Sequence, residues 1–174
     1  MAIQSGEDLF LTILSRVHES EKRLLSAVQE LSHMAEDKYV KDMLDVRAFL
    51  TQQEVSNIEE CFRLMGKQPV PTDTRFHEVW LEDTRRELQE IQLPILKGLY
   101  IVTAIHRIQN YHIAQYAALI TMSEYAGYDA VTTLLRRNMA DKMEFIERTN
   151  EFIREVGKRV FVAKAREWYE EKAA

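Results

Sequence analysis

Apolar and polar positions alternate along this chain with helical periods almost from end to end. Phe10, Leu14, Val17, Leu24, Val28 and Leu31 follow one another at four- and three-residue steps, with Glu21 filling the middle place of the series. A stripe of that spacing predicts a helix packed along one seam. Ser5 is the expected N-cap, with Glu7 and Asp8 near the positive end of the helix dipole. The acidic step Glu36-Asp37 predicts a short turn. A second helix follows over residues 38–65, apolar on a face of double width. Leu44, Ala48, Thr51, Val55, Ile58, Phe62 and Met65 make one line. Met43, Val46, Leu50, Gln53, Asn57, Cys61 and Leu64 make the other.

Gly66 is a natural stop, and Pro69 and Pro71 bar continuation. Thr72-Asp73 is a new start signal, predicting a shorter helix to about Gln92 that carries Phe76, Val79, Trp80 and Leu88. Pro94 suits the first turn of a third long helix, which Gly127 closes. Ile101, Ile105, Ile108, His112, Leu119 and Met122 lie on one of its lines; Val102, Ile113, Tyr116 and Ile120 lie on the next, interrupted by His106 and Gln109. The fourth long helix, residues 130–156, has Leu135, Asn138, Lys142, Phe145, Thr149, Phe152 and Val156 in register. The expected fold is all-α, a four-helix bundle over residues 1–157 with a crossover helix between the second and third core helices, as ferritin-like bundles use. Residues 158–174 form a helix-compatible tail, with Val160, Phe161, Trp168 and Tyr169 expected to pack on the bundle or on another subunit.

Composition narrows the function classes. A net charge of −5 argues against nucleic acid, which needs a basic face. The single Cys61 excludes an intramolecular disulfide and a cysteine-rich zinc site, and reads as a small buried apolar residue. No stretch approaches a membrane span, and MAIQSGED has no signal-peptide character, so a soluble cytoplasmic protein is expected. No dinucleotide, phosphate-loop or nucleophile-elbow pattern occurs, and no catalytic residue is assigned.

The chemistry lies in the polar groups that interrupt the seams. Glu21, Gln53, Gln109, His112 and Lys142 each fall on an apolar line of a core helix. Burying polar groups is costly unless they meet partners, so the reading is one shared cluster. Inward carboxylates and histidines of facing helices are also how bundles build di-iron and di-manganese sites. His106 reads as a semi-polar seam residue, and His18, His33 and His77 as surface positions.

Glu21-Lys22-Arg23-Leu24, the run Ile108-Gln109-Asn110-Tyr111-His112-Ile113-Ala114-Gln115-Tyr116, and Ala126-Gly127-Tyr128 followed by Leu134-Leu135 resemble motifs of the YciE/YciF family of bacterial ferritin-like proteins. The resemblance spans roughly residues 6–156. It implies a ferritin-like bundle, a homodimer, and a stress protein with ferritin-like or catalase-like redox chemistry at an iron or manganese centre. Against the family pattern, Gln53 stands for a second-helix glutamate. Gln109 and His112 stand for the two glutamates of the third-helix motif, and Asp141-Lys142 for a Glu-Glu pair. The reading that follows is a divergent member without its di-metal centre, with no bound cofactor, acting as a structural or interaction protein. Lys142 then replaces a cation against Glu21, Gln53 and Gln109. The alternative is a redox protein with a reduced iron or manganese site held by Glu21, Glu54, His112 and Asp141.

Overall fold

The computed structural model describes residues 3–72 and 75–162. Five helices follow in order: α1 (Gly6–Met34), α2 (Lys38–Met65), α3 (Phe76–Glu90), α4 (Pro94–Tyr125) and α5 (Asp129–Gly157). A π-helical turn, Lys158–Val162, continues from α5. α1 and α2 form one antiparallel hairpin and α4 and α5 the other, with α3 crossing between them along α1 and α4. Among the described residues no helix is long and apolar enough to cross a membrane.

Local chemistry sets the ends. The Ser5 hydroxyl accepts from the Asp8 backbone N–H at 3.0 Å. The Asp37 carboxylate caps α2 through the Val40 N–H at 3.0 Å. Each satisfies a donor that the helix itself leaves free. Gly66 (φ 63°) and Gly127 (φ 71°) turn the chain through the left-handed region, where a Cβ is strained. α3 starts at Phe76, not at Thr72, and Asp73 lies outside the described residues. It also ends at Glu90, two residues short of the expected Gln92, where the backbone turns extended at Ile91 before Pro94 opens α4. Trp168 and Tyr169 of the tail lie outside the described residues as well.

The core has two apolar halves with a polar layer between them. One half gathers Phe10, Leu14, Val17, Ile58, Phe62, Leu119 and Leu135. The other gathers Leu24, Leu31, Leu44, Ile101, Ile105, Ile108 and Phe145. Cys61 is fully buried, and burial pushes its thiol up to about 12, so it behaves as an inert apolar residue.

α2 is rotated relative to the expected double-width face. Its buried side is Leu44, Arg47, Thr51, Glu54, Ile58 and Cys61, joined by Ala48, Val55 and Phe62. The line of Met43, Val46, Leu50 and Gln53 faces outward instead; Val46 is 51% exposed and Gln53 only half-buried. One residue is about 100° of helix, so a frame centred on Thr51 and Ile58 brings Glu54 inward and turns Gln53 away.

The left-handed turn at Gly127 predicts that Gly127→Ala lowers stability by about 1 kcal/mol. Gly157→Ala, at a helical position with nothing within 4 Å of an added Cβ, leaves the thermal midpoint unchanged or raises it. Thermal denaturation followed by circular dichroism checks both.

Candidate functional site

Each core helix sends one to three polar side chains into the layer between the apolar halves. Glu21 comes from α1, Arg47, Thr51 and Glu54 from α2, Gln109 and His112 from α4, and Lys142 from α5, and all are fully buried. The Lys142 ammonium is the hub. Its Nζ lies 2.9 and 3.0 Å from the two Glu21 carboxylate oxygens, 2.7 Å from Glu54 Oε2 and 3.3 Å from Gln109 Oε1. It also sits 5.5 Å from the centroid of the buried Tyr116 ring, whose negative face favours a cation. The other oxygen of Glu54 pairs with the Arg47 guanidinium. Arg47 Nε donates to Thr51 Oγ1 at 3.1 Å, and its guanidinium carbon lies 5.7 Å from the Phe145 ring centroid. Two carboxylates thus face two cations, so the layer closes without net charge.

A second branch leaves from Glu21. His112 Nδ1 lies 2.7 Å from Glu21 Oε1, and His112 Nε2 lies 2.7 Å from His77 Nε2 on α3. Burial keeps both rings neutral at pH 7, and with one hydrogen in each bond the tautomers follow. Nδ1–H of His112 donates to the carboxylate, and Nε2 of His112 accepts from Nε2–H of His77. Burial holds His112 below its ordinary value against the pull of Glu21, and holds His77 down at about 3. The crossover helix is therefore bonded into the polar layer through His77.

The two carboxylates behave differently. Burial works to raise Glu21, but His112 and Lys142 outweigh it and hold Glu21 far below the usual carboxylate range. Burial pushes Glu54 up; Lys142 and Arg47 oppose that push, and the Glu21 charge adds to it. Below this level Asn138 ties α5 to α2. Its Nδ2 donates to the Glu54 backbone carbonyl at 3.0 Å and to Tyr116 Oη at 3.2 Å, and its Oδ1 accepts from Asn57 Nδ2 at 2.7 Å.

Of the residues expected from the sequence, Glu21, Gln109, His112 and Lys142 meet. Gln53 does not join them and Glu54 takes its place, for the rotational reason given above. Asp141 does not join them either: it precedes Lys142 by one step, is half-buried and lines an outer groove. His77, expected at the surface, is buried; His18 is half-buried 3.4 Å from Glu59, and His33 is exposed. His106 is half-buried, with Nδ1 2.9 Å from Thr149 Oγ1, a local structural bond. Arg47 was not anticipated. Its signal is the 4-3-4-3 spacing of Arg47, Thr51, Glu54, Ile58 and Cys61, which a stripe built from hydrophobic residues alone passes over.

The donor set does not suit a di-metal centre. Such a centre needs several anionic oxygens to balance its charge, and the two carboxylates here are already engaged by two cations. Among the described residues no group of three or more His, Cys, Asp or Glu side chains is arranged to hold a metal ion.

The buried neutral histidines carry a pH signature. Where the folded value lies below the unfolded one, the unfolded chain takes up the proton first, so stability falls as pH drops. For His77 that window runs from 6.5 down to about 3, and His112 acts in the same direction. Glu21 adds to the loss below its ordinary value of 4.5, while Glu54 has the opposite sign. Urea midpoints should therefore fall between pH 7 and pH 5, with a slope of up to about 1.4 kcal/mol per pH unit for each buried histidine. His77→Phe should flatten that slope. An identical slope in the variant would show that His77 titrates normally.

The family described as a domain of unknown function, DUF892, matches residues 5–159. Protein YciF of Escherichia coli K12 is 20% identical over 143 residues, which cover 82% of this chain and 86% of that protein. The crystal structure of the E. coli stress protein YciF superimposes with a TM-score of 0.83 at 18% identity, covering 90% of this chain and 99% of that one. YcfI of Rhodopseudomonas palustris, for which a structural role has been suggested, gives 0.81 at 22% identity over 85% and 94% of the two chains. A protein of Xanthomonas campestris pv. campestris gives 0.67 at 16% identity over 92% and 99%. The chain belongs to the DUF892 family, the family of E. coli YciF, and carries its ferritin-like helical fold.

Proposed function

We propose that this protein is a stress-associated member of the family in which an internal ion-pair cluster stands where a di-metal centre would, and that it works in the cytoplasm as a non-catalytic, homodimeric structural or interaction protein. The observation that carries this reading is the Lys142 ammonium between Glu21 and Glu54, at 2.7 to 3.0 Å from their oxygens. An ammonium there supplies the positive charge that the inward carboxylates require. It occupies the space between them and offers no open coordination position. What the cluster supplies is cohesion: the four core helices and α3 converge on one set of hydrogen bonds, which fixes their register. The stress association rests on the likeness to YciF, and the structural role agrees with the one suggested for YcfI.

Metal loading tests the reading. Protein purified without a metal-affinity tag and exposed aerobically to Fe(II) or Mn(II) should retain metal well below one equivalent, with no change in Glu21→Ala. Near-stoichiometric metal that disappears in Glu21→Ala would overturn it.

The cluster also predicts a stability pattern. Lys142→Met keeps most of the volume but strands the Glu21 carboxylate beside a neutral His112 and leaves Glu54 to Arg47 alone, and should lose about 3–5 kcal/mol. Adding Glu21→Gln to Lys142→Met should recover part of that loss, because one orphaned charge is removed. Urea denaturation of the three proteins at pH 7 is the measurement. Full stability in Lys142→Met would show that the ammonium is dispensable.

A further inference from the structure

The crossover helix α3 is held to the bundle more lightly than any core helix is held to its neighbours. It buries only His77, Thr84 and Leu88, where each core helix buries eight residues or more. Trp80 and Leu81 add half-buried packing against one apolar half. Even there the fit is incomplete, because the buried Trp80 indole N–H meets no acceptor among the described residues. Its N-terminus, at Arg75, has no side-chain cap. A helix of 15 residues has little stability of its own, so α3 depends on what fastens it.

The polar fastenings are of two kinds. On the outside, Glu78 pairs with Arg23 and Arg85 with Glu30, joining α3 to α1, and Glu87 accepts from the Tyr100 hydroxyl of α4. These bonds lie at the solvent-facing surface, where water competes for them and salt screens the charges. On the inside is the His77–His112 bond at 2.7 Å. Both of its rings are neutral, and when α3 lifts this bond is exchanged for bonds to water at modest net cost.

What α3 covers is an edge of the polar layer. His112 is fully buried, with His77 against its Nε2 and Glu21 against its Nδ1. Phe76 stacks on Tyr111 beside the same pair, with ring centroids 4.3 Å apart. With α3 lifted, His112 Nε2 faces water and Glu21 lies one ring behind it. The bonds of Lys142 survive, because Glu21, Glu54 and Gln109 all belong to core helices.

We propose that α3 is a strap that opens as a unit while the four core helices stay folded, and that its opening admits water and small polar solutes to His112 and Glu21. Ionic strength sets how often it opens. Strap opening requires no metal, so its test is read apart from metal loading.

Native-state hydrogen exchange of the full chain, followed by mass spectrometry, measures the opening. Amides of α3 should be protected about a hundredfold less than those around Leu24, Ile105 and Phe145, and should exchange with little urea dependence. Raising NaCl from low salt to about 0.5 M should speed α3 exchange by about three- to tenfold and leave the core stretches unchanged. Glu30→Gln with Glu78→Gln should speed it at low salt and abolish the salt response. Access is read with diethyl pyrocarbonate, which modifies neutral imidazole. The modification rate of His112 should rise with salt by the same factor as α3 exchange. Amides of α3 that exchange only with the core, at its full urea dependence, would overturn the proposal. So would α3 exchange indifferent to salt, or His112 modification that does not follow it.

Discussion

The structure depends on one fully buried ammonium. Lys142 lies where side chains of the four core helices meet, and its bonds to Glu21, Glu54 and Gln109 tie α1, α2 and α4 to α5. A charge in that position is unfavourable unless its counter-charges are equally well placed, and here each counter-charge has a further partner. Glu54 is shared with Arg47, and Glu21 with His112, which carries the chain of bonds on to His77 and the crossover helix. The layer is neutral and specific. A slip of α5 by one residue would withdraw Lys142, leaving Glu21 without a cation and Glu54 with Arg47 alone. The apolar halves on either side supply most of the burial, and the polar layer decides which single arrangement of them is allowed.

Much of this was legible in the sequence because helix periodicity is written in hydrophobic residues and the ends are written in Ser5, Gly66, Pro94 and Gly127. Where one stripe was narrow, as on α1 and α5, the polar residue inside it was placed correctly: Glu21 and Lys142 are where their heptad neighbours put them. α2 was harder. Its apolar face is wide because it serves two surfaces, the core and an outer groove, and nothing local says which half is which. The expected face took in both lines, and so counted Val46, Leu50 and Gln53 as facing the core. The half that faces the core contains Arg47 and Glu54, two charges that look like surface residues until each is seen to complete the other. His77 was missed for a related reason. α3 buries only His77, Thr84 and Leu88, too few positions to set a period, and the partner that brings His77 inside is thirty-five residues away on α4.

Ferritin-like bundles hold polar groups at their centre because that is where metals are bound, and this chain keeps a polar centre with a different occupant. Carboxylates on facing helices repel unless a cation lies between them, whether it is a metal ion or the end of a side chain. A lysine supplies that cation permanently and needs no loading, but it forgoes open coordination sites and the chemistry that goes with them. What remains is a helical bundle with an acid-lined apolar groove between α2 and α5 on its outside.

The central claim is that the cation in this bundle is Lys142, and anomalous diffraction tests it most directly. Crystals grown with excess Fe(II) or Mn(II), measured at the metal's absorption edge, should show no anomalous density between Glu21 and Glu54, with the Lys142 ammonium in contact with both. A strong anomalous peak at bonding distance from those carboxylates, with Lys142 swung away, would contradict the account.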